Sequence, residues 1–343
     1  MPRLYEYELA RVSDVIVNKW AMVKPGDEVM ITASTEDDNA IVDACAASVY
    51  SAGAIPMVIY YPKPPGVGKA ADPGLPVKAL AAAACKADIW IQLSNTYLLY
   101  STPYEEALKT NKKLKFIALG GMDREMMDRL IGTVDNHAYK EFWIRISEMT
   151  ESAKTMRVTT PAGTDLTFEN DSNNPLGYDI GIAEKPGPSF LSGQIGWAPK
   201  YDSINGNLVF DGSLTPPCGI LRQPVELTIE KGRVVAIHGG AQAEEFKKWL
   251  DYFQDPNMYR LAHICYGFHP GAVLSGHIIE DERIWGCTEW GLGYYSPMDA
   301  PPDGIPAISH TDGICLNSSI WLDNVKIMEE GKVIHPELMK LLP

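Results

Sequence analysis

The chain has 343 residues, of which 45% are hydrophobic, and its 30 basic and 44 acidic side chains give a formal net charge of −14. This length and composition predict a soluble globular protein with enough apolar material for a large core or two domains. The acidic balance argues against binding to nucleic acid or to an anionic membrane surface, since both reward clustered Lys and Arg. We therefore expect a small-molecule partner, no nucleic acid and no membrane.

Six cysteines are spread along the chain without any Cys-x-x-Cys pair. This spacing favours reduced thiols over a disulfide framework or a zinc ribbon. The start of the chain is polar and acidic, and no apolar run reaches the ~20 residues that a membrane span needs, so neither a signal peptide nor an anchor is indicated. We expect the protein to reside in the cytoplasm.

The first 150 residues alternate apolar runs with segments of helical periodicity. The predicted elements are a helix over about 6–22, a strand at 29–33, a helix near 40–52, a strand at 55–60, a helix around 77–85, a strand at 89–93, a helix near 104–110 and a strand at 114–119. This alternation predicts a Rossmann-like α/β domain over residues 1–150, with a mostly parallel sheet covered by helices. No Gly-x-Gly-x-x-Gly follows a predicted strand, so a dinucleotide cofactor is not indicated.

After a helix near 138–153, the pattern changes to short alternating strands with Gly and Pro turns. Residues 155–160 and 164–168 predict a hairpin, and further strands are predicted at 208–210, 225–230 and 233–237. One helix is predicted over 241–253, where apolar residues recur every three to four positions. Residues 151–343 are therefore predicted to form a second, β-rich α+β domain.

Candidate metal ligands lie in the last third of the chain, which holds six of the seven histidines. His310 and Asp312 are two residues apart, and on an extended strand such a pair points to one face of the sheet. One imidazole and one carboxylate are two thirds of the facial triad that holds non-haem Fe(II). The same pattern also occurs on ordinary surface strands, so the interpretation requires a third ligand.

Several motifs of the predicted second domain together carry a family resemblance. They are Thr160–Phe168, Glu230–Gly232, Ile237–Gly240, Tyr252–Pro256, Ala262–Gly271 and the later His-x-Asp. In this order they resemble 2,5-dihydroxypyridine 5,6-dioxygenase and its relatives in the thermophilic metallo-aminopeptidase superfamily. The resemblance covers the second domain and, more loosely, the first. It implies a homo-oligomer with one divalent metal ion per subunit in the β-rich domain, Fe(II) being favoured and Mn(II) or Zn(II) being alternatives.

The resemblance implies that His263, His310 and Asp312 are the metal ligands. It also places Glu289 where hydrolase-like relatives carry another histidine, and His263 where they carry a glutamate. Glu289 is therefore predicted to be either a fourth ligand or a catalytic base. As a ligand it would leave fewer positions for O₂ and substrate. As a base it would take a proton from the substrate or from a metal-bound water.

Two positions depart from the dioxygenase pattern. The substrate-handling histidines of that enzyme align with Tyr100 and Ser189, so the resemblance does not identify the substrate. Both residues keep a hydroxyl that can hydrogen-bond a ring substituent. We expect the pocket where the two domains meet, with residues 95–103 approaching the metal and the irregular segment 294–303 forming a lid.

Two reaction classes remain open at this point. In the first, an Fe(II)-dependent dioxygenase cleaves a small hydroxylated aromatic or heteroaromatic ring and inserts both atoms of O₂. In the second, Mn(II) or Zn(II) activates water for an amidohydrolase, deaminase or aminopeptidase reaction, with Glu289 as the base. The triad of His263, His310 and Asp312 favours the dioxygenase. A metal-free binding module on the same scaffold is a third alternative.

Overall fold

The structure is a computed structural model that describes residues 5–66, 68–297 and 299–343. The described chain divides into two compact units. One contains the described residues up to Val134 together with Ile180–Ser192, and the other contains Asp135–Asp179 and Gly193–Pro343. Within the described ranges, no helix is both long and apolar enough to cross a membrane.

The first unit contains a five-stranded parallel sheet with helices. Its strands are β1 (Glu28–Ser34), β2 (Ile55–Tyr61), β3 (Ile89–Gln92), β4 (Lys115–Ala118) and β8 (Gly187–Phe190). They pair in the order β2-β1-β3-β4-β8, and every pairing is parallel. Its helices are α1 (Tyr5–Asp14), α2 (Asn39–Ser51), α3 (Val77–Ala84), α4 (Thr102–Thr110) and α5 (Arg124–Met127), with π-helical turns at Val15–Trp20 and Asp128–Gly132 and a 3₁₀ segment at Gly68–Gly74.

The sequence explains this sheet directly. Strand β3 is buried at every position and β1 at all but its first, which is typical of parallel strands covered on both faces. Asp38 begins α2 as its N-cap, because its side chain accepts a hydrogen bond from the Ala40 amide. The predicted α/β class of this region is confirmed.

The second unit contains two antiparallel sheets. The strands of the eight-stranded sheet are, in chain order, β5 (Thr155–Thr159), β6 (Asp165–Glu169), β10 (Asn205–Phe210), β13 (Val225–Glu230), β14 (Arg233–Gly239), β18 (Ser319–Leu322), β19 (Val325–Glu329) and β20 (Lys332–Val333). They pair in the order β14-β13-β10-β6-β5-β18-β19-β20. Burial alternates along β5 and β6, as expected for a sheet with one face in the core.

The strands of the seven-stranded sheet are β7 (Leu176–Tyr178), β9 (Gln194–Trp197), β11 (Ser213–Thr215), β12 (Gly219–Ile220), β15 (Leu261–Gly267), β16 (Thr288–Tyr295) and β17 (Ile305–Cys315). They pair in the order β12-β11-β17-β16-β15-β9-β7. The unit also contains α6 (Asn136–Ser152), α7 (Ala241–Tyr252), α8 (Ile278–Asp281) and α9 (Pro336–Met339), with 3₁₀ turns at Tyr201–Ser203 and Pro256–Tyr259. The predicted β-rich class of the second region is confirmed.

The division between the units differs from the predicted boundary at residue 150. Helix α6 belongs to the second unit, because its Trp143 indole donates a hydrogen bond to the Phe268 carbonyl at 3.0 Å and its Phe142 packs edge-on against the Phe268 ring. Conversely, β8 lies in the sequence region predicted as the second domain but pairs with β4 in the sheet of the first unit. Residues 180–192 therefore belong to the first unit rather than to the predicted domain 151–343.

Candidate metal centre

Three adjacent strands of the seven-stranded sheet bring the candidate ligands together. In the register of β15, β16 and β17, Gly291 lies between His263 and Asp312, and Gly293 lies opposite His310. Cross-strand neighbours share a face, and so do residues two apart on one strand. All three candidate side chains therefore project from one face. Because the central strand carries glycines there, the side chains of the two outer strands meet above it.

The donor atoms of His263, His310 and Asp312 converge. Nε2 of His263 lies 3.2 Å from Nε2 of His310 and 3.5 Å from Oδ1 of Asp312. Nε2 of His310 lies 2.7 Å from the same oxygen. The two imidazole rings are stacked, with 5.1 Å between their centroids. The structure thus brings together the three residues of the predicted triad.

The electrostatics of the triad favour a bound cation. Burial disfavours the charged form of Asp312, but the positive charge of His310 and the hydrogen bonds from both histidines outweigh burial and lower the pKa of this carboxyl. Asp312 is therefore ionised at neutral pH. Two imidazole nitrogens that face each other at 3.2 Å need a proton or a cation between them.

The donor set fits a divalent metal ion. Two imidazole nitrogens and one carboxylate oxygen presented together are the ligand set of the Fe(II) facial triad, and Mn(II) and Zn(II) accept the same atoms. The side chains of His310 and Asp312 are 30% and 17% exposed, whereas that of His263 is 10% exposed. One side of the cluster is thus accessible to a small molecule.

Glu289 faces the other ring nitrogen of His263. Its Oε2 lies 3.4 Å from Nδ1, and Sγ of Cys265 lies 3.5 Å from the same nitrogen. These residues form a second group of potential ligands that shares only His263 with the triad. Burial raises the pKa of Glu289 to about 7, although a positive charge on His263 would lower this pKa. The four residues predicted as ligands therefore separate into a triad and one carboxylate on the Nδ1 side of His263.

Tyr100 and Ser189, the predicted substrate contacts, belong to the first unit. Tyr100 follows β3 with a φ of 62°, and its ring lies edge-on to that of Tyr104. Ser189 lies in β8, opposite Ile117 of β4. The roles of both residues stay predictions. The segment 294–303, predicted as a lid, contains residue 298, which lies outside the described residues.

Sequence reasoning missed two residues that shape the centre. A Cβ atom at Gly291 would overlap Nε2, Cδ2 and Cε1 of His263, so the ring occupies space that only glycine leaves open. The Tyr295 ring stacks on the His263 ring with 4.8 Å between centroids. The Gly-x-Gly of residues 291–293 was the sequence signal that could have revealed Gly291, because glycine inside a strand often marks a close approach of another group.

Comparisons with known proteins agree with this architecture. A family model described as NicX, 2,5-dihydroxypyridine 5,6-dioxygenase, matches residues 17–290. The 2,5-dihydroxypyridine 5,6-dioxygenase of Pseudomonas putida KT2440 is 29% identical over 255 residues, which cover 70% of this chain and 69% of the relative. The solved structure of 2,5-dihydroxypyridine dioxygenase from the same organism has a TM-score of 0.81 at 23% identity, covering 97% of this chain and 99% of the other. Wild-type AmpT from Thermus thermophilus has a TM-score of 0.66 at 14% identity, covering 96% and 100%.

The matched family segment defines an enzyme of the oxidoreductase class, a dioxygenase. The chain belongs to the 2,5-dihydroxypyridine 5,6-dioxygenase family. The likenesses to the two solved structures show the shared fold alone. The family match includes His263 and Glu289 and ends before His310, so the interpretation of His310 and Asp312 as ligands depends on the geometry of the three strands.

Proposed function

We propose that the chain is a mononuclear Fe(II)-dependent dioxygenase that cleaves a small hydroxylated aromatic or heteroaromatic ring. The observation that carries this proposal is the convergence of His263 Nε2, His310 Nε2 and Asp312 Oδ1 on one face of the sheet. Family membership supports the substrate class, since the relative from Pseudomonas putida is named for 2,5-dihydroxypyridine.

His263, His310 and Asp312 would hold the ion. Bound there, Fe(II) supplies the redox chemistry that couples O₂ to an electron-rich ring. The low pKa of Asp312 keeps this ligand ionised without a proton being removed first. Tyr295 stacks on the His263 ring, and the close approach of Gly291 leaves the ring no other space on that side. The protein thus presents a rigid, preorganised donor set.

The hydrolytic alternative has less support. It required Glu289 as a base that takes a proton from water or substrate. The Glu289 carboxylate is instead buried and faces Nδ1 of His263 at 3.4 Å. Family membership also favours oxygen chemistry over hydrolysis.

The protein should consume O₂ only when it is loaded with Fe(II) and given a hydroxylated ring. Apoprotein is reconstituted anaerobically with Fe(II), Mn(II) or Zn(II) and tested on an oxygen electrode with hydroxypyridines, hydroxybenzoates and cyclic amides. We expect stoichiometric O₂ uptake with the Fe(II) form and with at least one hydroxypyridine or hydroxybenzoate. Product formation under anaerobic conditions would contradict the dioxygenase proposal and would favour the hydrolytic alternative.

We propose that the hydroxyls of Tyr100 and Ser189 bind substituents of the ring. Tyr100→Phe and Ser189→Ala each remove one hydroxyl and keep most of the side-chain volume. A lost hydrogen bond costs about 0.5–1.5 kcal/mol, so KM for the ring should rise roughly 2- to 10-fold in each variant. Steady-state kinetics at saturating O₂ give this value. If KM is unchanged in both variants, neither hydroxyl binds the substrate.

We infer that the enzyme is a cytoplasmic homo-oligomer. All six cysteines are free thiols, which supports a reducing compartment. Edge strand β2 exposes the apolar side chains of Ile55, Met57, Val58 and Tyr60. An exposed apolar edge of this kind is typical of an association surface. Light scattering of the purified protein tests this inference, and a monomeric mass would contradict it.

A further inference from the structure

Glu289 has no place in the proposed ligand set, although its side chain is completely buried. Neither carboxylate oxygen makes a hydrogen bond of standard geometry to any residue in the described ranges. The basic atom beside it is Nδ1 of His263, 3.4 Å from Oε2. A buried carboxylate without a partner is costly, so this contact requires an explanation.

We propose that Glu289 is a positioning residue, which accepts the Nδ1 proton of His263 and thereby directs the Nε2 lone pair of that ring toward the metal. This inference depends on the proposed metal centre. A carboxylate that binds the second ring nitrogen of a ligating histidine fixes its tautomer and orientation and raises its basicity as a ligand.

The sheet register produces this arrangement. Glu289 lies opposite Cys265, which is two residues from His263 on the same strand, so the carboxylate and the imidazole are diagonal neighbours on one face. On the other side of the ring, Nε2 meets His310 and Asp312. The imidazole is therefore held at both nitrogens.

Cys265 is the competing partner for the Nδ1 proton, because its Sγ lies 3.5 Å from that nitrogen. Sulfur is a weak hydrogen-bond acceptor, whereas each oxygen of a carboxylate is a strong one, so the Glu289 carboxylate is the better acceptor for this proton. A rival arrangement is a second metal ion held by His263, Cys265 and Glu289, which would require Nδ1 to be deprotonated.

Three variants separate these alternatives: Glu289→Gln, Glu289→Leu and Cys265→Ala. Zn(II) is titrated calorimetrically into each apoprotein and into the wild type, so no turnover is needed. We expect one equivalent of Zn(II) in every case. Glu289→Leu should bind it ~10- to 100-fold more weakly, as found for lost outer-shell partners of metal ligands. Glu289→Gln keeps an acceptor oxygen and should recover part of this loss, while Cys265→Ala should match the wild type.

A spectroscopic signature distinguishes positioning from a merely structural role. In Zn(II)-loaded protein with ¹⁵N-labelled histidine, the Nδ1 of His263 should carry a proton that exchanges slowly with water. Loss of the signal in His263→Asn assigns it. In Glu289→Leu this proton should exchange rapidly, whereas in Cys265→Ala it should be unchanged. Circular dichroism establishes that each variant is folded.

The outcomes can be told apart. Equal Zn(II) affinity in the wild type and Glu289→Leu, or an unprotonated Nδ1 in the wild type, would overturn the positioning role and leave the triad in place. Two Zn(II) equivalents in the wild type that fall to one in Cys265→Ala would replace it with a second metal site. A wild type that binds neither Zn(II) nor Fe(II) would refute the proposed centre itself.

Discussion

His310→Ala should yield a folded protein that holds no iron and has no measurable dioxygenase activity. The substitution removes one of three donor atoms and leaves Asp312 with His263 alone. If the lost donor weakens the centre by about 4 kcal/mol, metal affinity and turnover fall roughly 10³-fold. Metal analysis after anaerobic Fe(II) loading and desalting, together with O₂ uptake, measures both effects.

His238→Ala is the matched control for this prediction. His238 is an exposed histidine of β14, in the same unit as the triad. This variant should keep one equivalent of iron and full activity. Asp312→Asn, which preserves side-chain shape but removes the charge, should behave like His310→Ala. Full iron occupancy in both triad variants would show that the iron binds elsewhere.

Gly291→Ala should also abolish iron binding, although glycine contributes no ligand. A methyl group at this position would lie 2.8 Å from Cε1 of His263 and closer still to two other ring atoms, so the imidazole must move. Overpacking of this kind typically costs about 1–3 kcal/mol of stability. The effect on function should be larger, because a displacement of about 1 Å of a catalytic group can cost ~10²-fold in rate. Iron content, activity and the thermal midpoint measure these effects.

Gly177→Ala provides the control for the glycine substitution. Gly177 is an exposed residue of β7 in the same sheet, and an added Cβ would meet only the Gly196 carbonyl oxygen, at 3.9 Å. This variant should retain iron and activity. Normal iron binding by Gly291→Ala would mean that the His263 ring is free to shift, which would contradict the rigid donor set.

Much of the fold was predictable because its signals are local. The Ala-rich and aromatic helices and the buried strands of the first sheet have periodicities that a window of about ten residues contains. The pairing of His310 with Asp312 was equally local, since alternation along one strand places both side chains on one face. Linking them to His263 required the family resemblance, because that residue lies two strands away.

The remaining features depend on tertiary pairing, which periodicity does not encode. Strand β8 is only four residues long and contains Pro188, so its sequence resembles a loop. Proline is tolerated there because β8 is an edge strand. The contact between Glu289 and Nδ1 of His263 follows from the register of β15 with β16. This register cannot be read from the sequence, so Glu289 was predicted only as a ligand or a base.

The return of β8 to the first sheet affects the order in which the chain is able to fold during synthesis. A nascent chain that ends near residue 134 carries four of the five strands and leaves β4 as an uncovered edge. The fifth strand emerges only after α6 and the first hairpin of the other unit have been made. The edge of β4 therefore stays open on the ribosome while roughly fifty more residues are translated. An expression fragment that ends at residue 134 would have the same open edge and would be prone to aggregation.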